Sequence, residues 1–256
     1  MHWHWLWRIA HCRASRELRD GAGARKSIAL EARGTPPAAD GHSDKVHRMD
    51  TNEGYWVTTL EDLGALYKRP LDRVLRKELD YVDGLGRAFI AASPFLVLAT
   101  GSGQGFDCSP KGDKPGFVQV EDNGRMLLIP DRPGNNRIDG LKNLIEDQRV
   151  GVVFLVPGAN EVFRVNGRAR ISCDPKLTAR FAVDGKLPRT VIVVIVEQAF
   201  QHCPKALIRS DLWKAGASGR PDAVPTHGDF AAARNQDIDS VAYNAEYAKR
   251  IPKELY

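Results

Sequence analysis

The chain has 256 residues, 43% of them hydrophobic and 27% charged, the balance of a soluble globular protein that can bury a core without disulfides or metals. Its net charge of +5 does not indicate nucleic acid: residues 1–48 hold nine Lys/Arg and five Asp/Glu, which leaves only +1 for residues 49–256. Cys12, Cys108, Cys173 and Cys203 are scattered and form no C-x-x-C pair, so reduced cytosolic thiols are expected rather than a disulfide framework.

Residues 1–50 have no sustained hydrophobic period and are expected to be a disordered or poorly packed extension, with Met49 as an alternative start. An arm that binds an acidic partner is the other reading of this basic segment. The start MHWHWLWRIAHC lacks the basic segment and unbroken apolar run of a secretory signal. The longest apolar run, Val191 to Val196, is far short of the roughly 20 residues that span a bilayer. A cytoplasmic location with no membrane partner is the expectation.

The next elements are helical. Thr59 precedes Leu60, Leu63 and Leu66, with Asp62 three residues on, a capping-box-like start. Pro70 opens a stretch with Leu71, Val74, Leu75 and Leu79 at helical spacing. DGLGRAFIAAS reads as a third short helix that ends before Pro94.

From Phe95 strands dominate. FLVLAT, GFVQVED and RMLLIPD read as strands, the last two joined by an Asp122-Asn123-Gly124 hairpin turn. RIDGLKNLIED is an amphipathic helix with Ile138, Leu141, Leu144 and Ile145 on one face. VGVVFLVPG is a strand, and EVFRVNGRARIS alternates, with Phe163, Val165, Gly167, Ala169 and Ile171 on one side. Pro175 starts a helix, TVIVVIVEQAF is a strand buried on both faces, and CPKALIRSDLW is helical. A Gly/Pro-rich linker and a short helix follow. The expected domains are therefore 1–50, 51–215 and a tail, 216–256. About six antiparallel strands with few helices predict a mainly β, α+β chain: a small closed barrel with helices outside it.

Two segments carry candidate chemistry. In DCSPKGDKPGFV, read as a connection between strands, Ser109 offers a hydroxyl, Lys111 an ammonium and Gly112 an approachable backbone. Alone it reads better as a simple turn. In IPDRPGNNRIDGLKNL, between a strand and a helix, Arg132 and Arg137 flank Pro133-Gly134-Asn135-Asn136. Arginine forks and a helix N-terminus both suit an anion; Asn135 or Asn136 could instead only cap the helix. Adjacent strand ends would bring Lys111 and Arg137 to one point, a pocket for a phosphate dianion. In FQHCPKALIRSDLW, His202, Lys205, Arg209 and Trp213 fall at near-helical spacing and form a cationic edge with an aromatic. A solvated amphipathic helix is the plainer reading there. Cys203 beside His202 lacks further ligands at finger-like spacing, so no metal site is expected.

Taken together, SPFLVLAT, DCSPKGDKPGFVQVEDNGRMLLIPDRPGNNRIDGLKNL, VGVVFLVPG, FRVNGRARIS and HCPKALIRSDLW resemble the pyridoxamine 5′-phosphate oxidase-like FMN-binding family, nearest to an unassigned bacterial FMN-dependent branch. The resemblance spans roughly residues 55–215. It implies a split β-barrel, a homodimer, and FMN in a groove between subunits. It implies phosphate contacts from Ser109, Lys111, Arg132, Asn135 and Arg137, with Gly112 and Asn136 in the same turns. Pro130 and Asp131 would lie against the ring or ribityl chain, and His202, Lys205, Arg209 and Trp213 near the site. The Arg- and Trp-bearing C-terminal segment that closes on the vitamin substrate in the oxidase has no counterpart here. The implied function is an FMN-dependent oxidoreductase acting on an unidentified small molecule, with no catalytic side chain required. The alternatives are a flavin carrier or sensor without turnover, and a member using a deazaflavin or haem.

Overall fold

The computed structural model describes residues 56–217 and 219–256, so the 1–50 extension lies outside the described residues. Contacts divide the chain into two units, Met1–Leu66 and Tyr67–Tyr256. Of the first, helix α1 (Leu60–Leu66) is described. Thr59 caps it as the spacing predicts: its Oγ1 accepts from the Asp62 amide at 3.1 Å.

The second unit begins with α2 (Asp72–Leu75), a single turn whose Leu71, Val74 and Leu75 are exposed. The expected longer helix is absent because Leu79 turns extended and exchanges backbone hydrogen bonds with Ala199, at 3.0 and 2.7 Å. Helix α3 (Gly84–Ala92) follows, capped by Asp83 and seated on the core through Ile90.

Seven strands then form one sheet: β1 (Phe95–Ser102), β2 (Gly105–Gly112), β3 (Gln119–Glu121), β4 (Met126–Asp131), β5 (Arg149–Leu155), β6 (Val162–Ser172) and β7 (Thr190–His202). The order is β2-β1-β5-β6-β7-β4-β3, and every recorded pairing is antiparallel. The sheet keeps two edges, β2 and β3, so the barrel is split and not closed by hydrogen bonds. It nevertheless curls back on itself: Lys111 on β2 reaches Asp131 on β4 at 2.7 Å, although four strands separate them in the sheet. This is the mainly β split-barrel fold with flanking helices that the resemblance implies.

Three further sequence expectations need correction. Asp107–Gly112 is strand and not a connection, since β2 pairs with β1 along its whole length. Pro110 disguised it, but an edge strand tolerates a residue without an N–H. On α4 (Asp139–Glu146), Leu144 is buried and Leu141 packs on the core, whereas Ile145 is 77% exposed and Ile138 precedes the helix in a left-handed conformation. The buried stripe is narrower than four residues because Gly140, not Ile138, faces inward at the helix start. The tail holds two helices, α8 (His227–Ala232) and α9 (Ser240–Glu254), where one short helix was expected.

Helices α5 (Pro175–Ala179), α6 (Lys205–Ser210) and α7 (Leu212–Ala217) complete the elements. The main core gathers Leu96, Leu98, Leu127, Ile129, Phe154 and Val165, with Ile192 and Val194 from β7. Val191, on the opposite face of β7, fills a second cluster with Leu128 and Phe181. Burial on both faces is what an unbroken Val/Ile run requires.

Candidate functional site

Where the two edges of the sheet approach lies a cleft of about 670 Å³, a size suited to a cofactor or small ligand. Ser109, Lys111 and Gly112 line it from β2, and Pro130 and Asp131 from β4. Arg132, Asn135, Asn136 and Arg137 line it from the turn between β4 and α4. Nine of the thirteen residues expected from sequence thus share one cleft. The alternation of β2 accounts for Ser109 and Lys111, which with Asp107 are half-buried on one face while Cys108, Pro110 and Gly112 are exposed; Gly112 lines the cleft at the end of the strand.

Three of the four cations there, Lys111, Arg132 and Arg137, are already paired with acids. Lys111 Nζ lies 2.7 Å from Asp131 Oδ1, a pair with 18% and 20% side-chain exposure. Arg132 donates from Nε to Asp113 at 2.6 Å and from Nη1 to the Phe181 carbonyl at 2.7 Å. Tyr256 covers its guanidinium, 5.4 Å from the ring centroid, and donates its hydroxyl to Asp113 at 2.5 Å. Arg132 therefore lines the cleft as part of its wall, with its fork committed to holding that wall. Burial pushes the Asp113 carboxyl up, but hydrogen bonds from Tyr256, the Lys114 amide and Arg132 outweigh it and hold the pKa below the ordinary value. Arg137 is 77% exposed and donates to Asp139 at 2.8 Å. Hydrogen bonds from Arg137 and Lys142 lower the Asp139 pKa.

Neither asparagine caps α4. Asn135 Oδ1 accepts from the Arg137 amide at 3.0 Å, which folds the turn on itself. Asn136 is left-handed, with φ 59°, and its Oδ1 accepts from Arg189 Nη1 at 3.2 Å. Ile138 is left-handed too, with φ 52°, a costly state for a β-branched residue. The strain sits in the cleft wall, the usual place for it in a binding site.

The sequence reading missed five lining residues that matter here: Asp107, Asp139, Gly140, Arg189 and Thr190. Ser109 donates to Asp107 at 2.6 Å. The Asp107 carboxylate comes so near α4 that a Cβ on Gly140 would lie 2.7 Å from its Oδ2, so a close approach requires glycine there. The acids interleaved with the cations in DCSPKGDK and NNRIDG were the available signal. Arg189 had a weaker one, a lone cation at the mouth of a buried strand. Thr190 Oγ1 is sealed from solvent and has no hydrogen-bond partner among the described residues. Since an unsatisfied hydroxyl costs about 1–3 kcal/mol, Thr190→Val is expected to leave stability unchanged or raise it by about 1 kcal/mol in a urea titration. A loss of more than about 1 kcal/mol would mean that the hydroxyl is already satisfied.

The remaining expected residues lie elsewhere in the chain. Thr190 opens β7 at the cleft and His202 closes it, some 40 Å on at about 3.3 Å per residue. His202 pairs with Val162 there, and Trp213 Nε1 donates to the Ala159 carbonyl at 2.7 Å. Lys205 and Arg209 ride on α6 beside them. None of the four lines the cleft of its own chain. Among the described residues no cluster of three or more His, Cys, Asp or Glu could hold a metal, and no helix is long and apolar enough to cross a membrane.

Residues 85–203 match the family model described as pyridoxamine 5′-phosphate oxidase. This segment is a pyridoxamine 5′-phosphate oxidase-like domain. It contains every strand of the sheet and all the cleft-lining residues. Solved structures similar to the chain include HupZ of Group A Streptococcus, at 15% identity over 45% of this chain and 89% of that one, with a TM-score of 0.37. General stress protein 26 of Bacillus anthracis str. Sterne matches at 17% identity over 44% and 88%, with a TM-score of 0.34. A nimC/nimA family protein of Clostridium acetobutylicum matches at 19% identity over 48% and 96%, with a TM-score of 0.32. No curated protein matches the chain in sequence.

Proposed function

We propose that the cleft of this pyridoxamine 5′-phosphate oxidase-like domain binds flavin mononucleotide, and that the protein is an FMN-dependent oxidoreductase acting on a small molecule. The observation that carries this reading is the convergence of Ser109, Lys111 and Gly112 with the Pro130–Arg137 segment on one cleft of about 670 Å³. The donor set fits a phosphate monoester. Lys111 has three donors and places one on Asp131, so it can hold that carboxylate and an anion together. Arg137 is held only by an exposed ion pair, which contributes little and is readily exchanged. Ser109, on the same face of β2, would add its single hydroxyl donor by turning from Asp107 to the anion. Pro130 and Asp131 line the cleft beyond them, where the ribityl chain or ring would lie.

A bound flavin supplies electron transfer, so the chain needs only to bind, orient and surround it with charge. The lack of a nucleophile–base pair in the cleft is compatible with that division of labour. The His202–Trp213 segment lies away from the cleft of its own chain, and the proposed assembly is a homodimer with FMN at its interface, in which a second copy supplies that segment. Sedimentation of the purified protein tests the dimer.

Titration of the purified protein with FMN, read by quenching of flavin fluorescence, tests the cofactor. Saturable binding is expected, with bleaching by a reduced nicotinamide and recovery in air if the protein turns over. Absence of any FMN binding would overturn the reading. Lys111→Ala and Arg137→Ala should each weaken FMN binding by about 1.5–3 kcal/mol, the range for hydrogen bonds to a charged group. Unchanged affinity in both would place the phosphate elsewhere.

A further inference from the structure

We infer that Arg189 is the principal anchor for the anionic group of the ligand, acting across the turn from Arg137. The inference rests on the reading of the cleft as a flavin phosphate site and adds to it a residue outside the motifs that suggested that reading.

Not every cation in the cleft is free to meet an anion. Four line the cleft: Lys111, Arg132, Arg137 and Arg189. The first three are bonded to Asp131, Asp113 and Asp139 respectively. Arg132 is 15% exposed and its acid partner 2%, so withdrawing it would strand a buried carboxylate. Arg189 differs. Among the described residues its guanidinium meets no carboxylate, and its one hydrogen bond is to a neutral oxygen, Asn136 Oδ1 at 3.2 Å. An arginine has five N–H donors in a planar fork, so four remain for a bidentate grip on phosphate oxygens. No ion pair must be broken for it to engage.

Its position adds to this. Residue 189 immediately precedes β7, and Thr190 pairs with Asp131 of β4, so the backbone holding Arg189 is fixed by the sheet. From there it braces the left-handed Asn136, next to Arg137. An anion between the two arginines would draw Arg137 from its exposed pair with Asp139, which keeps Lys142 at 3.2 Å. The turn would then close on the ligand with two forks from different elements.

The test compares three probes on wild type, Arg189→Ala and Arg189→Lys: FMN, riboflavin (the same ring system without the phosphate) and inorganic phosphate. Affinity for the flavins is read by fluorescence quenching and for phosphate by the shift in Tm. Wild type should prefer FMN to riboflavin. Arg189→Ala should lose at least about tenfold in FMN affinity, as expected for a charge-assisted bidentate contact, with riboflavin binding unchanged. It should also lose the phosphate-dependent rise in Tm. Arg189→Lys should recover only part of both, because an ammonium cannot make the forked contact. Equal loss for FMN and riboflavin, or no loss for either, would overturn the inference and leave the flavin reading standing. A phosphate shift that needs Arg189 in a protein that binds no flavin would keep the anion anchor and remove the flavin. If wild type responds to none of the probes, both fall.

Discussion

Asp113→Ala is expected to destabilise the protein by about 3–5 kcal/mol, the cost of leaving a buried partner charge unpaired. The carboxylate has only 2% side-chain exposure and receives Arg132 Nε at 2.6 Å and the Tyr256 hydroxyl at 2.5 Å. Removing it strands the guanidinium under the Tyr256 ring, with the Phe181 carbonyl as its remaining partner. For a domain of this size the loss corresponds to a fall in Tm on the order of 10 °C. Asp113→Asn keeps an acceptor but not the charge and should lose less. The pH dependence fixes the cause. The native carboxyl titrates below its ordinary value, so it contributes stability at neutral pH that is lost as pH falls through the range below about 5. The stability gap between wild type and Asp113→Asn should therefore narrow between pH 6 and pH 3. A gap that stays constant would show that the charge of Asp113 is not what the wall depends on.

The cluster around Asp113 also shows where the sequence stops being informative. Asp113 and Arg132 stand in two segments singled out for their cations, yet the partner that covers both is Tyr256, 143 residues from Asp113. Local spacing holds no trace of a contact that distant. What local pattern can carry is whichever face a strand or helix buries. The alternation of Phe163 to Ile171 and the unbroken Val191–Val196 run identified β6 and β7 because burial acts on every second residue or on all of them. Pro110 hid β2 because its tolerance follows from an edge position, which only the sheet order determines. The cleft divides in the same way. Ser109, Lys111 and Arg137 were legible because the cations cluster between strand-like runs. Arg189 was not, because it comes to Asn136 by way of the β4–β7 pairing, 53 residues away in the chain. His202 and Trp213 were assigned to the site by resemblance. A single chain separates them from the cleft by the length of β7, so only a second copy could reunite them.

Gly167→Ala should be the most damaging single-methyl change in the sheet, costing about 4 kcal/mol or more. Backbone stands where the new Cβ would go: Ile195 O at 2.0 Å, Ile195 C at 3.0 Å and Glu197 N at 3.3 Å. A side chain could rotate away from such a clash, but a carbonyl in a ladder cannot, and clashes of this kind populate the severe tail of mutational effects. The reason for the contact is a bulge. Asn166 pairs with Gln198 and Gly167 with Val196, so β7 holds Glu197 as an extra residue at this point. The bulge sets the register of β7 from Val196 back to Thr190. With both faces buried there, a slip of one residue would move Val191 and Ile192 each to the wrong side. It would also carry Arg189 and Thr190 out of the cleft. Chemical denaturation of Gly167→Ala checks the cost, beside Gly103→Ala, whose Cβ would meet nothing within 4 Å and whose effect should stay under about 1 kcal/mol. If enough Gly167→Ala folds to be purified, it should also have lost the Arg189-dependent response to phosphate. Equal stabilities for the two variants would mean that the β6–β7 bulge can relax, and that the placement of Arg189 does not depend on it.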